Sequence, residues 1–111
     1  MTINTPVYLE FLRKTLLPMP GVNEKLCYGT PAFYVGKKIF ARIKEDGETL
    51  VVQTLERDKW METDPETFFV TDHYLNYDYM LISLKRVSPA DLTKLLAKAW
   101  YNRADKKTRG I

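Results

Sequence analysis

Apolar residues near the start of the chain recur at helical spacing. Tyr8, Phe11, Leu12 and Leu16 form one stripe, which predicts an amphipathic helix from about Thr5 to Leu17. Thr5 can serve as its N-cap, and Pro6 suits the first helical position, where its missing N–H costs nothing. Pro18, Pro20 and Gly21 stop it. The same pattern returns near the end of the chain. Ser88 caps, Pro89 follows, and Asp91 completes a Ser-x-x-Asp box. Leu92, Leu95, Leu96, Ala99 and Trp100 then line one helical face, and the tail after Asp105 is expected to fray.

Between the two helices the pattern becomes strand-like. Gly36-Lys37 reads as a two-residue turn joining strands Ala32–Val35 and Lys38–Lys44, and Asp46-Gly47 as a hairpin turn leading into Thr49–Leu55. An earlier strand is expected around Lys25–Tyr28. A short helix around Arg57–Glu62 and a turn at Asp64-Pro65-Glu66 follow, then a last strand over Tyr79–Val87. The fold class is therefore α+β: an antiparallel β-sheet with the N- and C-terminal helices packed on one face.

The hairpin register assigns side chains to faces. With Asp46-Gly47 as the turn, Ile43 faces Leu50, Ala41 faces Val52 and Ile39 faces Thr54, a row that suits the core. Arg42 with Val51, Phe40 with Gln53, and Lys44 with Thr49 then point the other way. The Gly36-Lys37 turn puts Phe33 beside Phe40, and Val35 beside Lys38, on that second face. In the last strand Met80, Ile82 and Leu84 suit the core, turning Tyr79, Ser83 and Lys85 outward. The outer face is thus expected to mix aromatic rings with cations. Such a mixture can stack on bases while holding phosphates. Long cationic stems lying over a solvated sheet face produce the same pattern.

Composition narrows the classes. The 111 residues are 45% hydrophobic and 28% charged, which fits one domain over residues 1–111. Cys27 stands alone, which excludes a disulfide scaffold, and Cys27 with His73 falls short of the roughly four ligands of a structural zinc site. No apolar run reaches the ~18 residues of a membrane span. The expected chain is a cytoplasmic monomer with no membrane partner and no cofactor. Its charge is uneven, at +6 from Lys85 onward and −3 before it. A basic end on a mildly acidic body fits a nucleic-acid binder, and it also fits a C-terminal helix whose cations oppose the helix dipole.

Catalytic motifs are absent. Gly29-Thr30-Pro31 and Val35-Gly36-Lys37-Lys38 do not match a phosphate-cradling loop, which needs more glycines ahead of a helix. Cys27, in the first strand, reads as a buried structural thiol. His73 is the one candidate acid–base group, and its expected work is to pack its own loop. No catalytic residue and no enzyme activity is assigned. His73, Tyr74 and Tyr77 remain a candidate ligand loop.

Several segments together bring a family into view. Pro20-Gly21-Val22, Tyr28-Gly29-Thr30-Pro31-Ala32-Phe33, Lys38-Ile39-Phe40-Ala41, Asp64-Pro65-Glu66-Thr67-Phe68-Phe69-Val70-Thr71 and His73-Tyr74 resemble the MmcQ/YjbR family, in consistent order over nearly the whole chain. The resemblance implies a CyaY-like (frataxin-like) α+β sandwich, hairpins arranged as a double wing, and DNA binding. It supplies no catalytic residues to carry over. Two features depart from those implications. The second hairpin tip, Glu45-Asp46-Gly47-Glu48, is acidic and would repel phosphate. Iron binding needs clustered carboxylates, and Glu10 is the only acid in the first helix.

The expected function is nucleic-acid binding through the outer sheet face and the basic C-terminal helix. Lys37, Lys38, Phe40, Arg42, Lys44 and Lys85 are the contact residues. The alternative is a small protein- or ligand-binding module that uses the same face or the His73 loop.

Overall fold

The computed structural model describes residues 5–110. The helical stripe becomes α1 (Thr5–Leu16), with Leu12 and Leu16 buried, and the chain then meanders through four strands: β1 (Val22–Cys27), β2 (Thr30–Val35), β3 (Lys38–Ile43) and β4 (Thr49–Gln53). A short α2 (Arg57–Thr63) leads to β5 (Phe68–Phe69), a strand the sequence pattern missed because only two residues pair. A single turn of 3-10 helix (Asp72–Tyr74), β6 (Tyr79–Ser83), α3 (Pro89–Arg103) and α4 (Lys106–Arg109) complete the chain. The six strands form one antiparallel sheet in the order β1-β2-β3-β4-β6-β5. The fold is α+β, as the pattern predicted.

The core lies between one face of the sheet and the helices. Leu12 and Leu16 of α1, with Leu92, Leu95, Leu96 and Ala99 of α3, pack on Ile43, Leu50, Val52, Met80 and Ile82. The α2 residue Trp60 joins them edge-on to Phe68, with ring centroids 5.1 Å apart. Ser88 caps α3 as its sequence requires, its side chain accepting from the Asp91 N–H at 3.1 Å. The register read from Asp46-Gly47 is the one observed: Ala41 opposes Val52, Arg42 opposes Val51, and Ile43 opposes Leu50. The loop is longer than the two-residue turn expected. Lys44 and Thr49 close it, and Asp46 accepts from the backbone of Glu48 and Thr49 within.

One bulge overturns the face assignment upstream. Phe33 pairs with Ala41 but Tyr34 pairs with Ile39, so Phe40 is the extra residue of β3. An inserted residue reverses the alternation on one side of it. Phe33 and Phe40 consequently lie in the core at 0% exposure, not on the outer face. Ile39 is displaced from the core row to the outer face, where it pairs with Tyr34. Val35 does pair with Lys38, but Val35 belongs to the core, so this pair sits on the helix side. Burying a Phe ring gains about 1.5–3 kcal/mol, which favours the bulge over continued alternation.

The tail is docked rather than frayed. Asp105 caps α4, accepting from the Thr108 N–H at 2.7 Å. Thr108 in turn packs on Gly21, whose φ of +75° suits glycine and where a Cβ would meet the threonine methyl at 3.2 Å. Trp100 is half-buried at the edge of the core, and its indole N–H donates to the Pro20 carbonyl at 2.9 Å. Trp100→Phe, which loses that bond and keeps most of the packing, should lower stability by about 1 kcal/mol in urea unfolding. An unchanged midpoint would mean the bond holds nothing.

Acid weakens the fold in a defined window. The Arg13 guanidinium grips Glu24 at 2.8 Å and holds its carboxyl below the ordinary 4.5. At Asp46 burial pushes upward, but hydrogen bonds from the Thr49 hydroxyl and the loop backbone outweigh it and leave the carboxyl below 3.8. The unfolded chain therefore binds these protons first as pH falls. The stabilisation should be complete above about pH 5 and decline steadily below about pH 4, read as the urea midpoint against pH. A midpoint that holds flat to about pH 3 would contradict this.

Candidate functional site

The outer face of the sheet is covered rather than solvated. Val51 and Leu81, opposite each other on β4 and β6, are both buried although neither belongs to the helix-side core. Over Val51 runs the strap between β5 and β6, residues 70–78, which turns through Asp72–Tyr74 and lays Tyr74 over the sheet. Two arginines fasten this strap. Arg57, at the start of α2, donates to the carbonyl oxygens of Tyr74, Leu75, Tyr77 and Tyr79 at 3.0–3.2 Å. Arg42 holds it from the sheet, donating to the Tyr74 hydroxyl at 3.2 Å.

Between strap and sheet is a hollow of about 430 Å³. That volume falls within the roughly 300–1,000 Å³ of small-molecule sites. Its floor is Ile39, Ala41, Arg42 and Val51, and its walls are Cys27 and Tyr28 on one side and His73, Tyr74, Tyr77 and Tyr79 on the other. Tyr74 stands edge-on to both His73 and Tyr79, at centroid distances of 4.7 and 5.9 Å. Tyr28 and Tyr77 form an exposed rim, at 85% and 61% exposure. Tyr28 adopts φ +52°, the one positive φ outside glycine among the described residues. With Gly29 it makes the tight turn between Cys27 and Thr30. A bulky residue in that conformation is strained, and such strain gathers at functional sites.

Arg42 is the centre of the site. It is only 7% exposed, and its guanidinium donates to the Thr30 hydroxyl at 3.0 Å, to the Glu45 carboxylate at 2.9 Å and to Tyr74. Burial opposes its charge, but the bonds to Tyr74 and Glu45 prevail and raise its pKa. The same bond to Arg42 holds the Glu45 carboxyl below its ordinary range. Neighbouring Tyr34 is pushed up by burial and by its contact with Cys27, while the Arg42 cation acts the other way.

The residues expected on one nucleic-acid face are dispersed. Phe40 is in the core and has no ring face to offer a base. Arg42 lies beneath the strap. Lys37 and Lys38 stand at one end of β3, and Lys38 is close enough to act on the Asp105 carboxylate. Lys44 follows the other end of β3, and Lys85 pairs with Glu48 at 3.7 Å. The ligand-loop residues fare differently, since His73, Tyr74 and Tyr77 converge on the hollow. Cys27 is half-buried in its wall, not the buried thiol expected. Tyr28 and Arg57 were not among the residues expected at a site. Gly29 marks a turn beside Tyr28, whereas nothing local marks Arg57 as a clamp on carbonyls around twenty residues away. Among the described residues no group of His, Cys, Asp and Glu could hold a metal, and no helix is long and apolar enough to cross a membrane.

Comparison with curated proteins finds no match. A crystal structure of the Deinococcus radiodurans protein DR2400, family-model domain DUF419, matches with a TM-score of 0.74. The match covers 89% of this chain and 80% of that chain at 18% sequence identity, so it speaks for the fold. The YjbR family model matches residues 17–102, from the end of α1 through nearly all of α3. The sheet, the strap and every residue lining the hollow fall inside that match, and the chain belongs to the YjbR family.

Proposed function

We propose that this protein is a ligand-binding module whose site is the hollow between the strap and the sheet. One observation carries the reading: a buried arginine, fixed by three side-chain bonds, opens into an aromatic-lined hollow of about 430 Å³. Few polar groups in an apolar, preformed concavity are what small-molecule recognition uses. A fragment screen followed by amide NMR tests it. Perturbed amides should cluster on Cys27, Tyr28, Val51, Tyr74 and Tyr79. Hits that map elsewhere, or none at all, would sink the reading.

Nucleic-acid contact is a second reading, supported at a different place from the sheet face. Gly36, in the turn beside Lys38, donates to the Gly21 carbonyl at 3.0 Å, and Thr108, beside Lys107 on α4, packs on Gly21, so the turn and the basic tail share one end of the molecule. Lys37 and Lys106 adjoin them. Phosphate binding there would weaken steeply with salt as counterions are released. Replacing Lys106 and Lys107 by alanine should weaken duplex binding for all sequences alike and flatten the salt slope by about one per lost contact. No binding to duplex or single strands at low salt would end this reading.

A further inference from the structure

We propose that the ligand of the hollow is a small planar apolar molecule bearing a carboxylate, recognised by Arg42. The inference rests on the ligand-site reading above and adds the chemical class.

Arg42 already shows the preference. Its one charged partner is a carboxylate, that of Glu45 at 2.9 Å, three residues along the same chain segment. Yet the Glu45 side chain is 60% exposed while that of Arg42 is buried. Glu45 lines an adjoining cleft that shares Tyr28, Arg42, His73 and Tyr74 with the hollow, so anion and ligand reach the same guanidinium from neighbouring sides. A guanidinium carries five N–H donors in a planar fork and cannot lose its proton. Three bonds from its terminal nitrogens are accounted for, to Thr30, Glu45 and Tyr74. Two of the five N–H donors take no part in these bonds, and with Arg42 in the lining of the hollow they are what an entering acidic group would meet. Away from Arg42 and His73, the lining is Ile39, Ala41 and Val51 below with Cys27 and four tyrosines around, which suits a flat, mostly apolar body. Glu45 then acts as a resident competitor. An entering carboxylate shares the fork with it or displaces it toward solvent.

The test is an amide NMR titration of the full chain with 2-naphthoate and with its neutral isostere 2-naphthamide, at fixed salt. Naphthoate should perturb Cys27, Tyr28, Val51, Tyr74 and Tyr79 and bind roughly tenfold or more tighter than the amide, the scale of one charge-assisted hydrogen bond. Glu45→Gln should tighten naphthoate several-fold relative to naphthamide. Arg42→Lys should erase the preference for the acid, because a point charge does not reproduce the fork.

Equal binding of acid and amide at those residues would overturn the carboxylate assignment and leave the ligand site standing. So would a Glu45→Gln variant that binds naphthoate no tighter relative to naphthamide. If neither compound nor inorganic phosphate perturbs these amides at millimolar concentration, both the assignment and the ligand site fall.

Discussion

Phe40→Ala is expected to destabilise the protein by about 3–5 kcal/mol, the range for emptying a fully buried aromatic site. The ring has 0% exposure and belongs to the cluster that joins α1, α3 and the sheet. Its position on a bulge adds to the cost. The extra residue in β3 is held because its ring fills the core, and alanine there removes the reason for the insertion. A register that resumes simple alternation would carry Ile39 back toward the helices and remove part of the hollow's floor. Urea unfolding measures the loss, and a change below about 1 kcal/mol would mean the ring is not packed as described. The outcome also separates two roles for Phe40. A residue that stacked on bases from the surface would leave stability nearly unchanged and weaken single-strand binding instead.

Arg57→Ala should release the strap while the core survives. Four carbonyl oxygens from Tyr74 to Tyr79 converge on one guanidinium, and together they set the path of residues that wall the hollow. Bonds to a charged donor are worth about 1.5–3 kcal/mol each in isolation, but four on one group do not add, so a total of about 2–3 kcal/mol is expected. The signature is local. Amide exchange should accelerate across residues 74–79 by at least tenfold, while the amides of Leu50, Val52 and Ile82 keep their protection. Arg57→Lys should rescue little, since an ammonium presents three donors at a point and not a planar fork. Ligand affinity at the hollow should fall with the released strap. Uniform loss of protection through the sheet would show that Arg57 supports the whole fold and not the strap.

The two variants act on opposite faces of one sheet, and that arrangement divides what the residue pattern could and could not reveal. Local physics made much of the architecture legible. Pro6, Pro18, Ser88 and Pro89 mark where helices start and stop, because capping and a missing N–H are properties of a few adjacent residues. Asp46 and Gly47 set the β3–β4 register, and Ile43, Leu50, Met80 and Ile82 fall on the core face as their alternation requires. His73, Tyr74 and Tyr77 could be named as a candidate ligand loop because His73 is the chain's one imidazole, and all three line the hollow.

Tertiary structure decided the rest. Whether Phe40 faces core or solvent depended on one inserted residue, and a bulge leaves no local mark when core packing holds it. Arg42 looked like a free surface cation because strand alternation cannot see that a strap some thirty residues later will cover it and bond its guanidinium. Arg57 looked like an ordinary helix-start residue, since the four carbonyls it clamps are backbone groups any sequence would supply. Periodicity and capping are short-range and can be read along the chain. Burial of one face by a distant loop is a long-range event, and it made the hollow out of residues that are unremarkable in sequence.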